Sequence, residues 1–77
     1  MYYTIHAVIQ PGDQTGFVAE CHELPIVTQG ATLDEVTQNL RDAIALHLEG
    51  EDLRHLGFAA NPTVTVNYEL GPVRAQA

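Results

Sequence analysis

The stretch that decides the fold of this chain is Thr32–Gly50, which reads TLDEVTQNLRDAIALHLEG. It begins with a capping box: the hydroxyl of Thr32 can accept a hydrogen bond from the backbone N–H of Glu35, and the Glu35 carboxylate can reach back to the N–H of Thr32. Gly50 suits the position just after a helix, where a left-handed backbone is common. The stretch therefore predicts one helix over residues 33–49.

Apolar residues recur along this helix with a period of about 3.6 residues, which is typical of a helix with one buried face. The residues predicted to face away from this stripe are Gln38, Arg41, Asp42, Ala45 and Glu49, and all but the alanine are polar. Such a helix must bury its apolar stripe against another element. The residues predicted to face the core are Leu33, Val36, Leu40, Ala43, Ile44, His47 and Leu48.

Four segments outside the helix alternate between apolar and polar residues, the pattern of strands. They are residues 2–10, 17–22, 26–29 and 63–70. A polar turn between the first two favours an antiparallel hairpin. The order β-β-β-α-β predicts an α+β domain over residues 1–70, with an antiparallel-rich sheet, one helix packed on one face, and a tail over residues 71–77.

The small size of the chain predicts self-association. A single core in 77 residues supplies only about 3–5 kcal/mol of net stability, and the one cysteine, Cys21, cannot form an internal disulfide. The sheet face away from the helix has apolar residues at Tyr2, Val8 and Val18, among polar ones. We therefore predict a dimer or tetramer that forms through this face.

The net charge of the chain restricts the classes of molecule that it can bind. Ten acidic residues against three basic ones give a net charge of −7, which disfavours binding to nucleic acid and to anionic membranes and favours a basic protein partner. No signal peptide or apolar run of membrane-spanning length is evident, so a cytoplasmic location is expected. The candidate contacts are the acidic residues Glu49, Glu51 and Asp52 at the helix end, followed by Asp42 and Glu69.

The sequence predicts no catalytic residues, no metal site and no cofactor. Metal-dependent nuclease chemistry needs converging carboxylates, and strand one has none. Cys21 alternates with Phe17 and Ala19 and is interpreted as a small core residue, since an adjacent His22 points to the opposite face of a strand. The histidines lack the close spacing of a chelating set; they are His6, His22, His47 and His55.

Several short motifs together resemble the HicB-like antitoxin family. An aromatic-rich first strand and a polar turn lead to a second strand that begins Gly16-Phe17-Val18. The next motifs, in order, are Leu24-Pro25, Thr28-Gln29-Gly30, Thr32-x-x-Glu35 and a helix rich in Leu and Ala. The resemblance covers residues 1–70, and the chain departs from the usual pattern at His22, Glu23, Ile26, Val27 and Ala31.

The resemblance implies a partial ribonuclease-H-like fold that neutralises a HicA-type toxin, a small basic protein that cleaves mRNA. Many members also have a C-terminal DNA-binding domain, and so short a segment follows Leu70 that we expect no direct binding to nucleic acid. The alternatives are a stand-alone oligomeric binding or scaffold module of the same fold with no toxin partner, and a residual nuclease.

Overall fold

The computed structural model describes residues 2–49 and 58–76, without the side chains of residues 2, 3 and 58–61. The chain forms an α+β structure in the predicted order β-β-β-α-β. Each strand alternates between apolar and polar residues, and the helix follows directly on the third strand. The elements are β1 (Tyr2–Pro11), β2 (Phe17–Cys21), β3 (Val27–Gly30), α1 (Leu33–Leu48) and β4 (Phe58–Tyr68).

The strands form one mixed sheet in the order β3-β2-β1-β4. β1 pairs antiparallel with β2, and β2 pairs antiparallel with β3. β4 lies on the other side of β1 and pairs with it in parallel. Parallel neighbours need a long crossover, and the path from β1 to β4 runs through β2, β3 and α1. The predicted antiparallel character therefore holds for all neighbours except β4.

The ends of some elements differ from the predictions. β4 begins at Phe58 instead of residue 63, since Phe58 already pairs with Tyr2 of β1. The next pair is Thr4 with Thr63, so a step of two residues along β1 matches a step of five along β4, and the first half of β4 is irregular. α1 ends at Leu48, and Glu49 is its C-cap. The predicted role of Gly50 lies outside the described residues.

The core lies between α1 and one face of the sheet. It consists of alternate residues of β1 and β2, the segment after β2, and one stripe of α1, as the alternation predicted. Two predictions for the helix stripe were wrong: Leu33 and His47 are exposed, because they lie at the margins of the stripe. The buried residues are Ile5, Ala7, Ile9, Ala19, Cys21, Leu24, Ile26, Val36, Leu40 and Ile44.

The start of α1 is held tightly against β3. A Cβ atom on Gly30 would lie 2.5 Å from the backbone nitrogen of Val36, so only glycine allows this approach. Thr32 caps the helix as predicted, with its Oγ1 accepting from the N–H of Glu35 at 3.0 Å, but within the described residues the predicted return bond from the N–H of Thr32 to the Glu35 carboxylate does not form. Asn39 donates from its side chain to the carbonyl of Gln29 in β3 at 2.8 Å. These contacts place α1 over β2 and β3 and away from β4.

The rest of the described chain adds no further helix or strand. Residues 69–76 have no regular secondary structure, and their side chains are exposed. Within residues 2–49 and 58–76, no helix is long and apolar enough to cross a lipid bilayer.

Candidate protein-binding surfaces

The outward side of α1 carries an exposed leucine among polar side chains. Leu46 lies four residues after Asp42 and three before Glu49, so these three side chains are neighbours on the helix. The side chain of Leu46 is 71% exposed, and both acidic residues are exposed as well. We call Gln38, Asp42, Leu46 and Glu49 the acidic stripe of α1.

A hydrogen bond orders one carboxylate of this stripe. The side-chain amide of Gln38 donates to Oδ1 of Asp42 at 2.9 Å, one helical turn away. The bond favours one orientation of the carboxylate and leaves its second oxygen available to accept from a partner. A cationic side chain of a second protein would find an acceptor here, and an apolar contact at Leu46.

The acidic residues predicted from the sequence do not form one patch. Asp42 on α1 and Glu49 at its C-cap lie together, beside Leu46. Glu69 lies on the opposite face of the sheet, where it lines a small depression with Val8 and Glu20. Its position follows from β4, whose residues alternate between the two faces. Glu51 and Asp52 lie outside the described residues.

A second surface is an apolar groove between α1 and β4, with a volume of about 390 Å³. Its floor is formed by Val64 and Val66 of β4, which lie beside Ile5 and Ala7 of β1 and so share the face that α1 covers elsewhere. Because α1 lies over β2 and β3, these valines are 39% and 38% exposed. Alternation in residues 63–70 predicts that these valines share one face, but it gives no sign that the helix leaves them uncovered.

The face of the sheet away from α1 is mostly polar. Of the residues predicted to mediate self-association there, Val8 and Val18 are half-buried. The side chain of Tyr2 lies outside the described residues. Val8 pairs with Glu20 and Val18 with Gln10 across the hairpin. A dimer through this face stays a prediction.

This polar face also holds a histidine–carboxylate pair. Nδ1 of His6 lies 2.6 Å from Oε2 of Glu23, and the backbone N–H of His6 donates to Oε1 of the same carboxylate at 2.7 Å. His22 adjoins the pair, since its N–H donates to the carbonyl of His6 at 2.9 Å. The carboxylate therefore fastens the segment after β2 to the middle of β1.

The pair makes stability depend on pH in acid. The hydrogen bond from the His6 ring lowers the pKa of the Glu23 carboxyl below its ordinary value of 4.5, although burial acts in the opposite direction. A lowered carboxyl pKa stabilises the fold above the unfolded pKa, and this contribution is lost as the pH falls through the folded value. We expect Glu23→Gln to reduce the free energy of unfolding at neutral pH and to match the wild type in strong acid, as measured by urea denaturation from pH 7 downwards.

The control for this prediction is Glu20→Gln, which removes an exposed carboxylate from the adjacent strand. The Glu20→Gln protein should still lose stability as the pH falls below 4.5, as the wild type does. A Glu23→Gln protein with the same acid profile as the wild type would show that the pair contributes nothing to the fold.

The described residues do not assemble an evident catalytic or metal centre. Cys21 is buried in the core as predicted, and burial, reinforced by the negative charge of Glu23, raises the pKa of its thiol above the ordinary value of 9.0. A thiol with a raised pKa is a poor nucleophile at neutral pH. Within residues 2–49 and 58–76, no three His, Cys, Asp or Glu side chains converge as metal ligands.

Sequence reasoning missed two features of these surfaces. Leu46 belongs to neither the buried stripe nor the polar residues predicted to face solvent, and its spacing from Asp42 and Glu49 was the available signal. The contact between His6 and Glu23 had no local signal, because it joins residues 17 positions apart.

Comparison with known proteins identifies no relative. No family model matches the chain, and no curated protein and no solved structure gives a match.

Proposed function

We propose that this chain is a non-catalytic, antitoxin-like protein of the cytoplasm that binds and neutralises a small basic toxin of the HicA type. The observation that carries the proposal is the acidic stripe of α1, in which the exposed Leu46 lies between Asp42 and Glu49 on a chain with a net charge of −7. The α+β order of elements and the sequence motifs support a HicB-like, partial ribonuclease-H-like fold as part of the same proposal.

The chemistry of the stripe suits inhibition of a ribonuclease. A protein that cleaves RNA needs cationic side chains to bind phosphate groups. Carboxylates that occupy those cations compete directly with RNA, and an apolar contact at Leu46 adds a desolvated centre to a polar rim. Opposite net charges also accelerate the encounter. The acidic stripe therefore acts as a substitute for the phosphate backbone.

The test is the kinetics of binding to the purified product of the adjacent reading frame, if that frame encodes a small basic protein. The double variant Asp42→Asn/Glu49→Gln keeps the size of both side chains and removes two charges. We expect slower association, by roughly tenfold at low salt, and a weaker dependence of the rate on ionic strength. Leu46→Ala should mainly accelerate dissociation.

The matched control is Asp13→Asn/Glu20→Gln, which changes the net charge by the same amount at exposed positions away from α1. It should retain most of the association rate. Equal slowing in both double variants would mean that only net charge matters, and no binding by the wild type would contradict the antitoxin proposal.

The second candidate function is a stand-alone oligomeric binding or scaffold module of the same fold, without a toxin. The apolar groove between α1 and β4, which no other described element covers, favours this alternative, since apolar residues that remain exposed in a small domain often mark a site of association. An adjacent gene that encodes no basic protein would favour it over the antitoxin, whereas an oligomer in solution is expected of both.

A further inference from the structure

We infer that β4 is the self-association site of this protein, and that a second copy adds its own β4 antiparallel to the first across a two-fold axis at Val66. The inference differs from the sequence prediction of a dimer through the open face, and it does not depend on the proposed toxin. It rests on three features of β4: the direction of its backbone groups, its lack of charge, and the groove beside it.

The backbone of β4 presents a regular set of hydrogen-bonding groups to solvent. The N–H of Glu69 donates to the carbonyl of Ile9 at 2.8 Å, so the odd-numbered residues at this end of β4 direct their backbone groups towards β1. In a strand, successive residues direct these groups to opposite sides. The backbone groups that point away from β1 are therefore those of Val64, Val66 and Tyr68. They form the outer edge of β4, and within the described residues no strand pairs with this edge.

The two ends of this edge limit the pairing to one register. Pro62 belongs to the same outward set and has no N–H to donate, which is typical of an edge strand. At the other end β4 stops at Tyr68, and Gly71, with a φ of 87°, takes the chain further out of the extended conformation. The outward-directed residues between Pro62 and the end of the strand are Val64, Val66 and Tyr68, which are symmetric about Val66. An antiparallel copy then sets Val66 opposite Val66 and Val64 opposite Tyr68, and each pair exchanges both of its backbone hydrogen bonds.

The side chains of this register are self-complementary. Val64, Val66 and Tyr68 share the face of the sheet that α1 covers, so a two-fold axis perpendicular to the sheet places both sets on the same side. The apolar floor of each groove then continues into that of the other copy. On the opposite face Thr65 meets Asn67, and both are polar and uncharged. Cross-strand pairs of aromatic and β-branched residues stabilise a sheet.

The outer edge of β4 differs from the rest of the surface in having no charged residue. β4 has no charged residue from Phe58 to Tyr68, although the chain as a whole has a net charge of −7. Two copies of so acidic a protein repel each other at most orientations, and a neutral edge reduces that repulsion. Proteins that keep a long edge strand unpaired commonly protect it with a charged residue, and this edge lacks one.

The first test measures oligomeric state by light scattering over a concentration series. We expect a dimer for the wild type. Val66→Lys places two like charges opposite each other at the axis and should raise the dissociation constant of the dimer at least about tenfold, since each substitution acts on both copies. Val27→Lys makes the same change on β3, at the other edge of the sheet, and should leave the dimer intact.

The second test does not depend on whether Val66→Lys folds well. In an antiparallel hydrogen-bonded pair, the Cα atoms lie about 5.5 Å apart, which is within the range of about 4.4–6.8 Å that a disulfide spans. Val66→Cys, with Cys21 replaced by alanine, should therefore form a covalent dimer on mild oxidation, whereas Val27→Cys in the same background should not. A monomeric wild type, a dimer unaffected by Val66→Lys, or equal cross-linking of both cysteine variants would each overturn the inference.

Discussion

Replacing Leu40 with alanine should reduce the free energy of unfolding by about 2–5 kcal/mol, the usual cost of deleting a buried leucine side chain. Leu40 is 1% exposed and lies at the centre of the contact between α1 and the sheet. A domain of this size has only about 3–5 kcal/mol of net stability, so the variant should be largely unfolded. Circular dichroism and urea denaturation will measure this loss.

Leu46→Ala is the matched control, because it makes the same substitution six residues further along α1. Leu46 is 71% exposed, and surface substitutions usually change stability by less than about 0.5 kcal/mol. A similar loss of stability in the two variants would contradict the orientation of α1. A stable Leu46→Ala protein also allows its effect on toxin binding to be interpreted without a change in fold.

Gly30→Ala should be the most harmful change outside the buried side chains. The new Cβ would lie 2.5 Å from the nitrogen and 2.8 Å from the Cα of Val36. These are backbone atoms that cannot rotate away, so α1 must shift from β3. The N–H of Val36 donates to the carbonyl of Thr32 at 2.9 Å, and the shift strains this first bond of the helix. We expect a loss of about 1–3 kcal/mol in unfolding free energy.

Gly71→Ala is the control for this substitution. Gly71 has a positive φ, but nothing lies within 4 Å of a Cβ built there, and the residue follows the last strand. Any strain can relax in a segment without regular structure, so denaturation should match the wild type within about 0.5 kcal/mol. Equal losses in both glycine variants would contradict a specific clash at Gly30, because the effect of alanine on the unfolded chain alone is to raise stability.

The acidic stripe of α1 and the pairing residues of β4 are tested separately, because Asp42, Leu46 and Glu49 share a depression with Pro62 but not with Val64, Val66 or Tyr68. The stripe faces solvent on the side of α1 away from the sheet, and the edge continues the sheet beside the groove. A dimer through β4 would display two acidic stripes on one side of a continuous sheet. Loss of the dimer in Val66→Lys with unchanged toxin binding would show that each copy binds its partner alone.

The helix and the faces of the strands followed from the sequence because their signals are local. The hydroxyl of Thr32 accepts a hydrogen bond from the N–H of Glu35, which is only three residues away. The apolar residues of the helix stripe likewise recur every three or four residues. Alternation along β1 likewise decided that Ile5, Ala7 and Ile9 are buried. Such patterns show which side of a helix or strand is buried, and each can be read from only a few consecutive residues.

The neighbours of each element, in contrast, were decided by the tertiary structure. Alternation in β4 predicted that Val64, Val66 and Tyr68 share one face, but the same pattern fits a strand at the centre of a sheet or at its edge. The close approach at Gly30 draws α1 over β3, and the parallel pairing with β1 then leaves β4 outside the cover of the helix. The same arrangement separates Glu69 from Asp42 and joins His6 to Glu23. Sequence periodicity specifies the face of an element, whereas its neighbours depend on how the whole chain closes around one small core.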